Sequence, residues 1–385
     1  MSDSPTLHVR GGRDVHDRPL SLLLENGVIA RLDRDAAAAP PDTPLLDATG
    51  LLVLPGLLDL QVNGAGGVDV TDSPERLWAV GAMLPAYGVT AWVPTVITSA
   101  PEARTTALRT LASGPPPGWR GAVPLGLHFE GPFLAPARRG AHPERWLRSP
   151  DPGETSGWSR AAGVLMATIA PELPGALSLI EELSARGVVV SVGHTTATVD
   201  QARAAVGAGA RLVTHLGNAM PPLLARDPGP VGLVLAEDTL VAGVIADGHH
   251  LAPEFLTTVW RALGPRRVLA VTDTTAALGV PDGPSRLGGQ DVVVRDGTVR
   301  LLDGTLAGSA ASLPHCLRVL RDVTGASLPD VVATATSTPS ELLGDPARGR
   351  LRPGARADVL LVDPDLGVRA TLVGGHVVHR DPRPH

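Results

Sequence analysis

Two histidines, His194 in VVVSVGHTT and His215 in RLVTHLGNAM, each close an apolar run and open a polar loop. Glu130 in VPLGLHFEGP and Asp273 in VLAVTDTTA occupy the same kind of place, as do Gln61 and Asn63 after LLVLPGLLDL. Asp247, His249 and His250 follow in VAGVIADGHH. Polar groups at the C-terminal ends of successive buried strands are how a (β/α)8 barrel assembles a site. Two imidazoles and a carboxylate make a catalytic ligand set for a zinc-type ion that keeps one position for water. A further carboxylate beside them is suited to move that water's proton. Singly, each residue has a plainer use: Glu130 as a capping carboxylate, either histidine as a hydrogen-bonded strand end, Asp273 as an N-cap. Their recurrence favours a metal-dependent hydrolase with Glu130, His194 and His215 as ligands and Asp273 as the acid/base.

The chain of 385 residues is 43% hydrophobic and 19% charged, the composition of a soluble globular enzyme. A formal net charge of −6 argues against nucleic-acid or anionic-membrane partners. An anionic small substrate would therefore need a local cationic pocket. No apolar run spans a bilayer, and MSDSPTLHVRGG lacks a signal-peptide core, so a cytoplasmic location is expected. Cys316 is the sole cysteine and reads as a small buried hydrophobe. All 33 basic residues are arginine. The absence of lysine excludes a Schiff base, a P-loop lysine and a carbamylated lysine bridging two metals.

The elements that must position these residues are legible from periodicity. TLHVRGG and PLSLLLENGVIARLD read as short strands, the second with an ENG hairpin signal, and ADVLLVD and VRATLVGGHVVHR read likewise near the other end. The termini are expected to pair as one small β-sandwich domain, residues 1–53 with 350–385. Between them, over 54–349, apolar runs at 51–60, 89–97, 123–129, 164–169, 187–193, 211–215, 240–246 and 268–273 alternate with helical stretches. Those stretches include PERLWAVGAMLPAYG, PGALSLIEELSARG and DQARAAVGAGA, two of them ending in glycine. Hydrophobic strands separated by helices imply an α/β fold with parallel strands buried on both faces, and eight units fit a TIM-like barrel. A doubly wound sheet is the alternative, unsupported by any GxGxxG after a strand. DAAAAPPDTP and GPPPGWRG read as loops, and the segment from Gly279 to Ser309 as a DG-rich β-hairpin excursion near the barrel mouth.

The blocks PGLLDLQVNGAGG, HFEGPFL, RRGAHP, GHTTAT, THLGNAMPPL, IADGHH, VTDTTAALG and LAGSA, in order from Pro55 to Gly354, resemble the N-acetylglucosamine-6-phosphate deacetylase family of the amidohydrolase superfamily. The resemblance implies metal ligation by Glu130, His194 and His215 and acid/base catalysis by Asp273. It implies a substrate contact by His142, backbone-mediated contacts by Asn218 and Ala219, and phosphate binding by Arg226 and His250. Leu306, Ala307 and Gly308 match a loop that closes on the sugar. Adjacent His249 competes with His250 for the phosphate role, and Arg226 alone reads as a solvated loop cation. Where the superfamily carries a first-strand HxH for a second metal, this chain has Gln61-Val62-Asn63, and neutral amides are poor zinc ligands. One divalent ion per chain, zinc, is therefore expected, with Gln61 and Asn63 supporting the site by hydrogen bonds.

The expected reaction is hydrolysis of N-acetyl-D-glucosamine 6-phosphate to D-glucosamine 6-phosphate and acetate, and the resemblance suggests a homodimer. The alternatives are the galactosamine epimer as substrate, another mononuclear amidohydrolase or a deaminase, and a non-catalytic sugar-phosphate binder. The last would be expected to have lost Asp273 or a ligand.

Overall fold

The computed structural model describes residues 6–34 and 42–382. Residues 35–41, most of the expected DAAAAPPDTP loop, and the extreme ends 1–5 and 383–385 of the expected β domain lie outside the described residues.

Eight parallel strands form the wall of a barrel in chain order: Leu57–Val62, Val89–Ile97, Leu127–Glu130, Val164–Ile169, Val189–Val192, Leu212–Val213, Val241–Val244 and Val268–Ala270. Each pairs in parallel with the next. The first five are buried at every position, as strands covered on both faces must be. The ring is drawn together between its ends: Asp273 N–H donates to Gln61 O at 3.0 Å, and Asn63 N–H to Thr274 O at 2.7 Å. These closing bonds involve site residues, so barrel closure and site assembly are one event.

Two expected strands are each divided. The run 51–60 breaks at Gly56: Leu52–Pro55 pairs antiparallel with Val359–Val362 in the small sheet, and Leu57–Val62 enters the barrel. Pro55 offers no N–H to continue one ladder, and Gly56 packs directly on Thr90. The run 123–129 becomes Val123–Pro124 and Leu127–Glu130, interrupted at Gly126 with φ 148°.

The expected helices form at Leu77–Met83, with 3-10 turns on both sides, at Ala176–Ala185 and at Val199–Gly207. Gly88 (φ 74°) and Gly187 (φ 78°) supply the left-handed residue that ends the first two. Thr198 and Gln201 form a reciprocal capping box on the third.

Strands from both ends of the chain share one eight-stranded sheet over a common apolar cluster that includes Val9, Leu22, Leu24, Val53, Val359 and Leu372. Its hairpins turn at Asn26-Gly27 and Gly374-Gly375, all at positive φ as a two-residue type I′ turn requires. The excursion after Asp273 is larger than one hairpin. Gly283–Leu287, Gln290–Arg295, Thr298–Leu301 and Leu306–Ser309 form a four-stranded antiparallel sheet. Its last strand returns to the barrel beside Thr274.

Gly56 is where barrel and small sheet meet. A Cβ there would lie 2.7 Å from Thr90 Cβ. Gly56→Ala should destabilise by about 1–3 kcal/mol through overpacking. Gly157→Ala, with no atom within 4 Å of the new Cβ, should be nearly neutral. Thermal unfolding of the two variants side by side checks the contrast.

Candidate active site

Glu130 is the last residue of the third barrel strand, and His194 and His215 follow the fifth and sixth by two residues. Their ligand atoms lie within 4.8 Å of one another, all three residues buried. His215 Nε2 is 3.2 Å from Glu130 Oε1, His194 Nε2 is 3.4 Å from the same oxygen, and the two Nε2 atoms are 3.0 Å apart. His194 Nδ1–H donates to the carbonyl of Arg138 at 2.9 Å, which aims Nε2 into the cluster. This donor set fits a divalent cation: two imidazole nitrogens and one carboxylate.

His194, His215 and Asp273 have φ of 47°, 27° and 50°. Non-glycine residues rarely adopt this region, and strain of this kind collects at functional sites where surrounding bonds over-determine it. Glu172 supplies part of that restraint, accepting from both Thr195 and Thr196 next to His194.

Gln61 and Asn63 hold the other groups in place. Gln61 Nε2 donates to Glu130 Oε1 at 3.2 Å while its Oε1 accepts from the Thr214 hydroxyl at 2.8 Å. Asn63 Nδ2 donates to Asp273 Oδ1 at 2.7 Å. Asn63 Oδ1 is buried with no partner among the described residues, leaving one acceptor for a donor in the cavity.

Electrostatics separates the two carboxylates. Burial pushes Glu130 upward, but hydrogen bonds from His194 and His215 overcome it and hold the carboxyl well below the ordinary range. Burial and the Glu130 charge instead push Asp273 up to about 7, despite the opposing His215 and Asn63. One group stays an anion and the other can exchange a proton near neutrality. Burial and the neighbouring His194 hold His142 well below the ordinary histidine value, so it is neutral at pH 7. Its Nδ1 accepts from Thr98 N–H at 3.3 Å, which leaves the proton on Nε2, 3.9 Å from Glu130 Oε2.

A cavity of ≈ 310 Å³ opens over this cluster. Asn63, Glu130, His142, His194, His215, Asn218, Ala219, His250, Asp273, Leu306, Ala307 and Gly308 all line it. Gln61 lies behind Glu130. Arg226 is exposed and does not line the cavity of this chain. His249 also lies outside, against Gly297 of the inserted sheet, whereas His250 donates from Nδ1 to Asp247 at 2.8 Å. Gly308 (φ 65°) has no room for a side chain, since a Cβ would come 2.7 Å from Asp273 O.

The sequence reading missed three contributors. Arg138 lines the cavity and its carbonyl orients His194; the paired arginines of RRGAHP were the available signal. Thr98 and Thr214 orient His142 and Gln61. Nothing in the local sequence marks either threonine, because their partners are 44 and 153 positions away.

Without a cation, the Glu130 hydrogen bond raises His215 above its ordinary value even though burial opposes it. A proton and a metal ion then compete for the same Nε2 lone pair. Metal retention should fall across a pH series lowered through the raised His215 pKa. His194→Ala should lose the ion at every pH. Elemental analysis after dialysis measures both, and equal metal content across that range would contradict the competition.

Comparison with known proteins agrees with this geometry. The amidohydrolase family profile matches residues 52–378. The N-acetylglucosamine-6-phosphate deacetylase of Homo sapiens is 38% identical over 391 residues, covering 97% of this chain and 91% of the relative. That of Bacillus subtilis is 33% identical over 361 residues, covering 92% and 91%. Among solved structures, the Pasteurella multocida deacetylase superposes with a TM-score of 0.91 at 28% identity, covering 98% of this chain and all of the other. A variant of the Mycobacterium smegmatis deacetylase, solved in complex with N-acetyl-D-glucosamine-6-phosphate, superposes with a TM-score of 0.86 at 34% identity and covers 98% and 100%. By fold, by the profile across most of its length and by these relatives, the chain belongs to the amidohydrolase family, in its N-acetylglucosamine-6-phosphate deacetylase branch.

Proposed function

We propose that the protein hydrolyses N-acetyl-D-glucosamine 6-phosphate to D-glucosamine 6-phosphate and acetate. The observation that carries this reading is the convergence of Glu130, His194 and His215 beside a protonatable Asp273 in one cavity, in a chain whose relatives bear that activity.

Glu130, His194 and His215 would hold one divalent ion, zinc by its ligand set, which makes water a competent nucleophile at neutral pH and polarises the acetamide carbonyl. Asp273 takes the proton released as water attacks. Asn63 N–H occupies Oδ1, so that proton goes to Oδ2. His142 donates its Nε2–H to the carbonyl oxygen as negative charge develops there. Protonated Asp273 then delivers its proton to the amine nitrogen, which leaves poorly without it.

Substrate choice falls to groups away from the reacting carbon. His250, fixed through Nδ1 by Asp247, presents Nε2 to the sugar phosphate. Asn218, Ala219 and the strand Leu306–Gly308 border the sugar. Arg226 serves the phosphate from a loop whose neighbours Leu223 and Leu224 are 45% and 55% exposed. Such an apolar, cation-bearing loop fits a homodimer with the site near its interface. The same reading takes 54–349 as the catalytic domain and 1–53 with 350–385 as a separate β domain. It puts the enzyme in the cytoplasm, since a phosphate dianion does not cross a bilayer unaided. Among the described residues no helix is long and apolar enough to cross a membrane.

Asp273→Asn keeps the shape of the side chain but cannot carry the proton. It should retain the metal and substrate affinity and lose about 100- to 10,000-fold in kcat. Near-normal turnover would remove Asp273 from the mechanism.

Unphosphorylated N-acetylglucosamine should be hydrolysed far less efficiently than its 6-phosphate, because a remote phosphate anchor is what aligns the acetamide. Arg226→Ala should narrow that gap by impairing only the phosphorylated substrate. Equal kcat/KM for the two sugars in the wild-type protein would rule out phosphate anchoring, and a parallel assay with the galactosamine epimer tests sugar selectivity.

A further inference from the structure

Asp59 and Thr272 flank the site without lining its cavity. Asp59 lies on the first barrel strand and is 1% exposed, and Thr272 precedes Asp273 and is equally buried at 1%. The Thr272 hydroxyl donates to Asp59 Oδ2 at 2.6 Å and Thr272 N–H donates to Oδ1 at 3.3 Å. The same Oδ1 accepts from Gln61 N–H at 3.4 Å. With its hydrogen committed to Asp59, the Thr272 oxygen accepts from Thr274 N–H at 3.1 Å. One carboxylate therefore grips the residue before Asp273 and, through that residue's hydroxyl, the residue after it.

The grip has a physical purpose. Asp273 has φ 50°, a conformation a non-glycine residue keeps only when its surroundings impose it. Its N–H donates to Gln61 O at 3.0 Å, its carbonyl accepts from Ser309 N–H at 2.9 Å, and Ser309 Oγ donates to Thr272 O at 2.6 Å. These bonds fix the peptide planes around Asp273. Among them the Asp59–Thr272 contact is the bond between two side chains, both buried, at 2.6 Å. It also reaches Gln61, whose side chain holds Glu130.

We infer that Asp59 and Thr272 are positioning residues that hold the carboxylate of Asp273 in its strained, productive orientation. The inference rests on the assignment of Asp273 as acid/base under the proposed function. Both Asp59 oxygens accept from donors, Oδ2 from the Thr272 hydroxyl and Oδ1 from two peptide N–H groups. An amide at this position can accept at only one of the two places.

The test is the isosteric Thr272→Val, which removes the hydroxyl and keeps the volume, assayed with Thr272→Ser, which keeps the hydroxyl. On N-acetyl-D-glucosamine 6-phosphate, Thr272→Val should lose about 100-fold in kcat, the scale of a misplaced catalytic group. KM and bound metal should stay at wild-type levels, and Thr272→Ser should recover most of the loss. Asp59→Asn should reproduce the valine phenotype, and Thr272→Ala replaces Thr272→Val if the valine variant does not fold. A kcat within about twofold of wild type for Thr272→Val, or a loss matched by metal depletion or a raised KM, overturns the inference. Asp273→Asn separates the two levels. If it is active, the base assignment fails and the positioning role with it. If it is inert while Thr272→Val turns over normally, the positioning role alone fails.

Discussion

Two imidazole nitrogens 3.0 Å apart, both within 3.4 Å of one carboxylate oxygen, cannot rest in a buried site without a proton or a cation among them. That convergence of lone pairs is the constraint on which the rest of the site depends. It requires three strand ends to meet at one point, which a barrel of parallel strands supplies at its C-terminal rim. It also requires each ligand to be aimed. The Arg138 carbonyl fixes the His194 tautomer, and the Gln61 amide steadies Glu130 from behind.

A first strand ending in Gln61 and Asn63 changes the division of labour in the site. The two amides are bonded to Glu130 and Asp273, and so link barrel closure to the placement of both carboxylates. With no lysine in the chain, charge inside the cavity is carried by Glu130 and Asp273 against histidines and Arg138. The result is two carboxylates with opposite tendencies. Glu130 is held down by imidazole donors, and Asp273 is raised by burial and by the charge of Glu130 itself.

The four-stranded insertion adds one wall to this rigid base. Its last strand is clamped to the barrel through Ser309 and carries Leu306, Ala307 and Gly308 to the cavity wall. At Gly308 the backbone approaches Asp273 too closely for any side chain, so the wall near the reacting end is main chain. That wall thus hangs on the backbone of Asp273, a residue of the same cavity.

Much of this was legible in the sequence because local physics dictated it. Continuous apolar runs such as VVVSV and VTAWVPTVI bury on both faces only in a parallel sheet, and Asn26-Gly27 and Gly374-Gly375 fit the positive φ of tight hairpins. Strand-end His194, His215, Glu130 and Asp273 were visible because their polarity interrupts those runs. Only the tertiary structure decided the rest. It split 51–60 at Gly56 between two sheets, since pairing with Val359–Val362 involves residues some three hundred positions away. It chose His250 over His249 as a cavity residue through the Asp247 contact, and it left Arg226 outside the cavity of this chain. It gave Thr98, Thr214, Asp59 and Thr272 their partners. A threonine or a buried aspartate carries no local mark of its role, because a hydrogen bond across the barrel is set by closure of the ring and not by neighbours in the chain.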